Sequence, residues 1–196
     1  MDMYGLPETA EFGGRKYQLN TDFRNILKIF SQLERGDLPE SIRWRIAGLL
    51  FYSPELADED YEAGLSYLAG FLQPGEVSHA KSRKMLDWQV DASAIIAGVN
   101  AAAGQEIRLL NKVHWWTFLS WFHAMPPGEL STRVSIREKL QKGKKLEPWE
   151  QEYYRQNKQA VDLKPAYTQQ ENEEIKRLNA ILNGQLSTDN CQLKKG

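Results

Sequence analysis

The chain has 196 residues, enough for one domain with a substantial apolar core and an appendage. Hydrophobic residues make up 41% and charged residues 26%, which excludes an intrinsically disordered body. Lys and Arg total 25 against 26 for Asp and Glu, so overall charge gives no reason to expect nucleic acid as the main partner, and the one cysteine, Cys191, excludes an internal disulfide.

The N-terminus carries Asp2 and Glu8 and lacks the apolar segment of a secretory signal. No stretch approaches the roughly 18 to 20 apolar residues that a bilayer span requires. The expectation is a soluble protein of the cytoplasm, with no membrane partner.

Glu8 to Leu19 reads as a β-hairpin about Gly13-Gly14, a two-residue loop whose glycines accept positive φ at both positions. Pairing across the loop sets Ala10 against Tyr17 and Glu11 against Lys16. Asn20-Thr21-Asp22 is a capping cluster. Phe23, Ile26, Leu27, Phe30 and Leu33 then recur at helical spacing until Gly36. A second helix opens near Pro39, with Ile42, Ile46, Leu49 and Leu50 expected inward, and Ser53-Pro54 ends it. A third covers about 60–72, with Tyr61, Leu65, Leu68 and Leu72 inward and Pro74-Gly75 as its stop.

Residues 77–85 are polar and basic and read as a loop. Asp87 is the expected cap of a fourth helix that Gly104 terminates. Its run of small residues, from Ala92 and Ala94 through Gly98 to Ala102, predicts close approach to neighbours near the centre of a bundle. A fifth helix is expected over about 110–125, broken by Pro126-Pro127-Gly128.

Beyond that point the chain is charged. Residues 131–145 hold few large apolar groups, Glu147-Pro148 opens a helix through about Ala160, and Thr168 with Glu171 forms a capping box for a last helix. Residues 185–196 read as a disordered tail. The fold class is mainly α: a bundle of about five helices with an N-terminal β-hairpin and a charged C-terminal helical extension. The expected division is 1–128 for the hairpin and helical core, 129–184 for the extension and 185–196 for the tail.

No constellation of catalytic, cofactor-binding or metal-ligating residues emerges. His79, His114 and His123 include no i,i+4 pair, and Cys191 has no neighbouring base. The glycines form no phosphate loop or nucleotide fingerprint. Asp58-Glu59-Asp60 reads as the negative first turn of the third helix, favoured by its dipole, before it reads as an ion site. The basic groups Lys81, Arg83 and Lys84, and Lys139, Lys142, Lys144 and Lys145, lack interleaved aromatics and read as solvated. The chain is therefore not expected to be an enzyme.

Its most informative segment is His114 to His123, in which five aromatic rings fall within eight residues. On a helix, Trp115, Phe118, Leu119 and Phe122 share one face, while Trp116 and Trp121 point elsewhere. A helix that is apolar nearly all round is either a central core helix or one covered by a partner. Trp149, Tyr153 and Tyr154 add an aromatic stripe in the extension. Trp and Tyr dominate the energetic centres of protein interfaces, so Trp116, Trp121, Trp149, Tyr153 and Tyr154 are the candidate contact residues.

Four stretches resemble the bacteriophage gene-product-fifteen family of long-tailed phages: residues 17–24, Leu49 to Tyr52 followed by Pro54, Asp87 to Ala94, and His114-Trp115-Trp116 with Phe118 and Met125-Pro126. Together they span about 8–163; the region 169–196 departs from the family pattern. The resemblance implies a gene near that of the tape-measure protein, no known catalytic residues, and a role as a tail assembly chaperone in the host cytoplasm. It implies the tape-measure protein, a second assembly chaperone and the tail-tube protein as partners, with homo-oligomerisation left open. The alternative is a structural component of the virion tail, at its tip or a joining ring. A nucleic-acid-binding regulator and an enzyme rank below both.

Overall fold

A computed structural model describes residues 5–73 and 85–163. Gly13 and Gly14 hold φ of +53° and +76°, left-handed values suited to a two-residue hairpin turn. They join β1 (Thr9–Phe12) to β2 (Arg15–Leu19), with Ala10 opposite Tyr17 and Glu11 opposite Lys16, the expected register. Alternation sends Ala10, Tyr17 and Leu19 into the core. A two-residue strand, β3 (Tyr52–Ser53), pairs antiparallel with the end of β2. It was not legible in the sequence, because two residues carry no alternation.

Helix α1 (Phe23–Leu33) starts where the capping cluster places it: the Asp22 carboxylate accepts the Arg24 amide at 3.0 Å. It buries Phe23, Ile26 and Ile29, and packs along α2 (Glu40–Phe51). The expected inward side of α2 needs correcting. The helix buries Ala47, Gly48 and Phe51 instead, and leaves Ile42 and Leu49 exposed at 43% and 49%. Small residues let α2 lie close to its neighbours. A methyl group at Gly48 would sit 3.5 Å from Leu65. Helix α3 (Tyr61–Leu72) buries Leu68 and Leu72 as expected, together with Gly64 and Phe71, which the expected stripe did not include, while Tyr61 and Leu65 flank the core.

Helix α4 runs Ala92–Ala103, and Gly104 at φ +68° ends it. Its cap position is Asp91. Asp87 instead accepts the amides of Gln89 and Val90 in the preceding turn. The small residues do not mark a central face either: Ala92, Ala97 and Ala101 are exposed, and Ala94, Ile95 and Val99 are buried. Helix α5 is shorter than expected, Trp115–His123. Its predicted first turn is extended, because the backbone there pairs with the segment before α1. The Phe23 amide donates to Val113 at 2.9 Å and the Trp115 amide to Thr21 at 2.7 Å.

Two cores result. The main one collects the sheet, α1 to α5 and Leu130. At its centre the Phe23 and Phe118 rings stack at 4.7 Å, and Trp115 lies 5.5 Å from Phe118. The second is small: Ile136, Leu146 and Val161, with Tyr153 and Tyr154 against them. It is built by α6 (Glu129–Gln141), α7 (Pro148–Gln156) and α8 (Lys158–Val161). The single helix expected over 148–160 breaks at Asn157. The fold is mainly α with a small antiparallel sheet, as the sequence predicted. The Pro74-Gly75 stop, the basic groups at 81–84, His79, the last helix with its Thr168/Glu171 capping box, the 185–196 tail and Cys191 lie outside the described residues.

Candidate functional site

The segment before β1 crosses the start of α5 and creates a groove. His114 caps α5: its Nδ1 accepts the Trp116 amide at 3.1 Å. That assigns the ring proton to Nε2, which donates to the Pro7 carbonyl at 3.3 Å. Burial pushes the imidazole pKa below its ordinary value, which favours this neutral form. Glu8 pairs with Lys112 and reaches the buried Thr21 hydroxyl at 3.4 Å. With residues 6–8 strapped down in this way, an open groove of about 310 Å³ lies between Leu6, Leu110, Val113, Thr117 and Trp121. Leu6 is exposed, and Leu109, the neighbour of Leu110, is 83% exposed.

The five candidate contact residues are not gathered in one place. Trp121 lines the groove. Trp149, at the start of α7, is 59% exposed. Tyr153 and Tyr154 lean on the second core, and the Tyr154 hydroxyl donates to Asp162 at 2.9 Å. Trp116, a contact candidate off the face shared by Trp115 and Phe118, is buried within the chain: it is 8% exposed, its ring stacks on Phe71 at 5.3 Å, and its indole N–H donates to the Phe71 carbonyl at 3.1 Å. The Trp115 indole likewise donates to Leu72 at 3.1 Å. These two indoles satisfy carbonyls at the C-terminal end of α3, which a helix leaves without intrahelical partners.

Sequence reasoning passed over the buried polar residues. Asp60 stands at the N-terminus of α3 and is buried there. Its Oδ2 accepts the Tyr17 hydroxyl at 2.7 Å and Arg15 Nη1 at 3.1 Å, and the Tyr17 bond leads in holding its carboxyl below the usual range. In α6, Arg133 and Arg137 both reach the fully buried Asp91. A signal existed: Leu130, Arg133, Val134 and Arg137 follow the i, i+3, i+4, i+7 spacing of an inward stripe. In α7, Glu150 is buried beneath Lys139, whose Nζ lies 2.7 Å from each carboxylate oxygen.

Among the described residues, no group of three or more His, Cys, Asp or Glu is arranged to hold a metal ion. None of the described helices is long and apolar enough to cross a membrane. The family model described as Bacteriophage Gp15 protein matches residues 4–163. The chain belongs to that family. As a Gp15-family phage protein it takes in the hairpin, the groove and the three helices after Gly128, and the match stops at Leu163, where the described residues also end. No curated protein and no solved structure matches the chain.

Proposed function

We propose that this phage protein acts in tail assembly as a chaperone-type factor, shielding apolar surface of the tape-measure protein through reversible protein–protein contact in the host cytoplasm. The observation that supports it best is the groove between Leu6, Leu110 and Trp121, beside a nearly bare Leu109. Exposed apolar surface bounded by polar groups, here Glu8 and Lys112, is the usual mark of a protein contact site. A concave apolar strip of this size takes one or two side chains of an amphipathic helix, the form in which helical partners bury their stripes. A partner that must later leave calls for a contact of moderate area, and a shallow open groove suits that.

Co-expression with the tape-measure protein of the same phage tests the reading. A complex retained at low salt and lost with Leu109→Asp or Trp121→Ala is the expected result. Failure of the unaltered pair to associate removes the proposal. Mass spectrometry of purified virions separates the chaperone from a tail component, since a chaperone is absent from the finished particle.

A further inference from the structure

The three helices after Gly128 meet the rest of the molecule in an unusual way. Only Leu130 and Val134 of this region join the main core among the described residues, while Ile136, Leu146 and Val161, with Tyr153 and Tyr154 against them, close on a small core of the region's own. Its remaining attachment is ionic and buried. The Arg137 guanidinium forks onto Asp91, with Nη1 2.7 Å from Oδ2 and Nη2 2.9 Å from Oδ1. Its other three donors go to the carbonyls of Met85 at 2.8 Å, Ala160 at 2.5 Å and Val161 at 2.9 Å. All five N–H groups that an arginine possesses are thereby used. Arg133 adds bonds to Asp91 at 3.2 Å and to the Val90 carbonyl at 3.3 Å.

These bonds sort into two sets. Those that hold α6, α7 and α8 to each other stay within 129–163: Arg137 to Ala160 and Val161, and Lys139 to Glu150. Those that cross to the body converge on residues 85–91, and three of the five end on the one carboxylate of Asp91. We propose that residues 129–163 are an arm that docks on and releases from the body as one unit, with Asp91 as its latch.

The physical reason is the contrast between two kinds of seam. Parting an apolar seam leaves hydrocarbon in water. Parting a buried ion cluster returns its charges to water, which recovers the hydration that burial removed. Release therefore exposes little beyond Leu130 and Val134, while the small core stays closed around Ile136. The chain between the body and the arm, Pro126-Pro127-Gly128, lies outside α5 and α6; the prolines fix φ, so Gly128 is the position that can absorb a change of direction.

Native-state hydrogen exchange on the full chain tests this, comparing the unaltered protein with Asp91→Asn. In the unaltered protein, amides of α6 to α8 are expected to exchange together, by an opening at lower denaturant than that of α1, α3 and α5. In Asp91→Asn, arm amides should exchange at least tenfold faster, with body amides changing less than about twofold. Arm and body amides sharing one opening in the unaltered protein, or losing protection equally in the variant, would overturn the proposal. Should Asp91→Asn not fold, the exchange pattern of the unaltered protein decides alone.

Discussion

One carboxylate, that of Asp22, fixes two parts of the chain that are 91 residues apart: Oδ1 caps α1 through the Arg24 amide, and Oδ2 accepts the Val113 amide at 3.1 Å. Arg24 closes the arrangement. It forks onto the same carboxylate at 2.8 and 2.9 Å and reaches the carbonyls of Leu110 and Asn111. The run Asn20-Thr21-Asp22-Phe23-Arg24 is thus a junction as well as a helix start. Losing a helix cap costs about 0.5–2 kcal/mol. An orphaned buried amide adds about 1–3 kcal/mol. Asp22→Ala is expected to lower stability by about 2–4 kcal/mol on those grounds, and Asp22→Asn by less, because its one amide oxygen still accepts one of the two backbone amides although its NH2 group faces the other. Urea unfolding measures both. Equal losses for the two variants would show that one retained acceptor does not hold the junction, which then needs both carboxylate oxygens.

His114 makes stability depend on pH in the near-neutral range. Burial is the largest cause of its depressed pKa, so the unfolded chain takes up a proton more readily than the folded one. The sign follows: the contribution is fully present above the ordinary histidine value of about 6.5 and is lost as pH falls through the lower folded-state value. Urea midpoints should therefore fall between about pH 7.5 and about pH 5.5. His114→Gln, which can still accept and donate, should flatten that fall. An unchanged slope in the variant would assign the effect to other groups.

The hairpin, the α1 start and the α3 core were legible in the sequence because each rests on local chemistry: glycines at positive φ, a capping carboxylate, a repeating stripe. The faces of α2 and α4 were not. In α2 the small Ala47 and Gly48 point inward while Ile42 and Leu49 point out, so residue hydrophobicity misleads where backbone proximity decides. The extended stretch before α5 was hidden for another reason: its partners lie at Thr21 and Phe23, and helical periodicity is blind to a distant backbone. Of the contact candidates, the outward placement of Trp149 fits its place on a polar helix. Trp116 was read as a contact candidate because the wheel could not anticipate the α3 carbonyl that its indole reaches. The groove depends on residues 6–8 folding back over 112–114, which no local motif announces.

Two glycines that look alike in the sequence should respond differently to alanine. A methyl group at Gly64 would come within 2.5 Å of Leu56 Cδ1 and 2.8 Å of its Cδ2, at a site where the Gly64 carbonyl also accepts the Tyr52 hydroxyl at 2.8 Å. Both methyl groups of the largely buried Leu56 face this site, and overpacking of this kind costs about 1–3 kcal/mol. At Gly98 the obstacle is Met125 Sδ at 2.5 Å, part of an unbranched chain with other rotamers. There the helix gains up to about 1 kcal/mol from alanine. Gly64→Ala is expected to lower the thermal midpoint by about 2–12 °C for a chain of this size. Gly98→Ala should leave it nearly unchanged. The reverse order in calorimetry would mean that Leu56 is the more mobile neighbour.

Exposure separates the roles of Trp116 and Trp149. Removing the Trp116 side chain opens a cavity beside Phe71 and leaves a carbonyl without its donor, so Trp116→Ala should cost about 3–5 kcal/mol. Trp149 stands out from the first turn of α7 at 59% exposure, and surface substitutions away from special features stay within about 0.5 kcal/mol. If the arm contributes to partner contact, Trp149→Ala should keep its unfolding midpoint and still reduce the tape-measure protein retained in the co-expression assay. A large loss of stability in Trp149→Ala would mean that the indole is covered within the chain. Full retention together with full stability would confine the contact to the Trp121 groove.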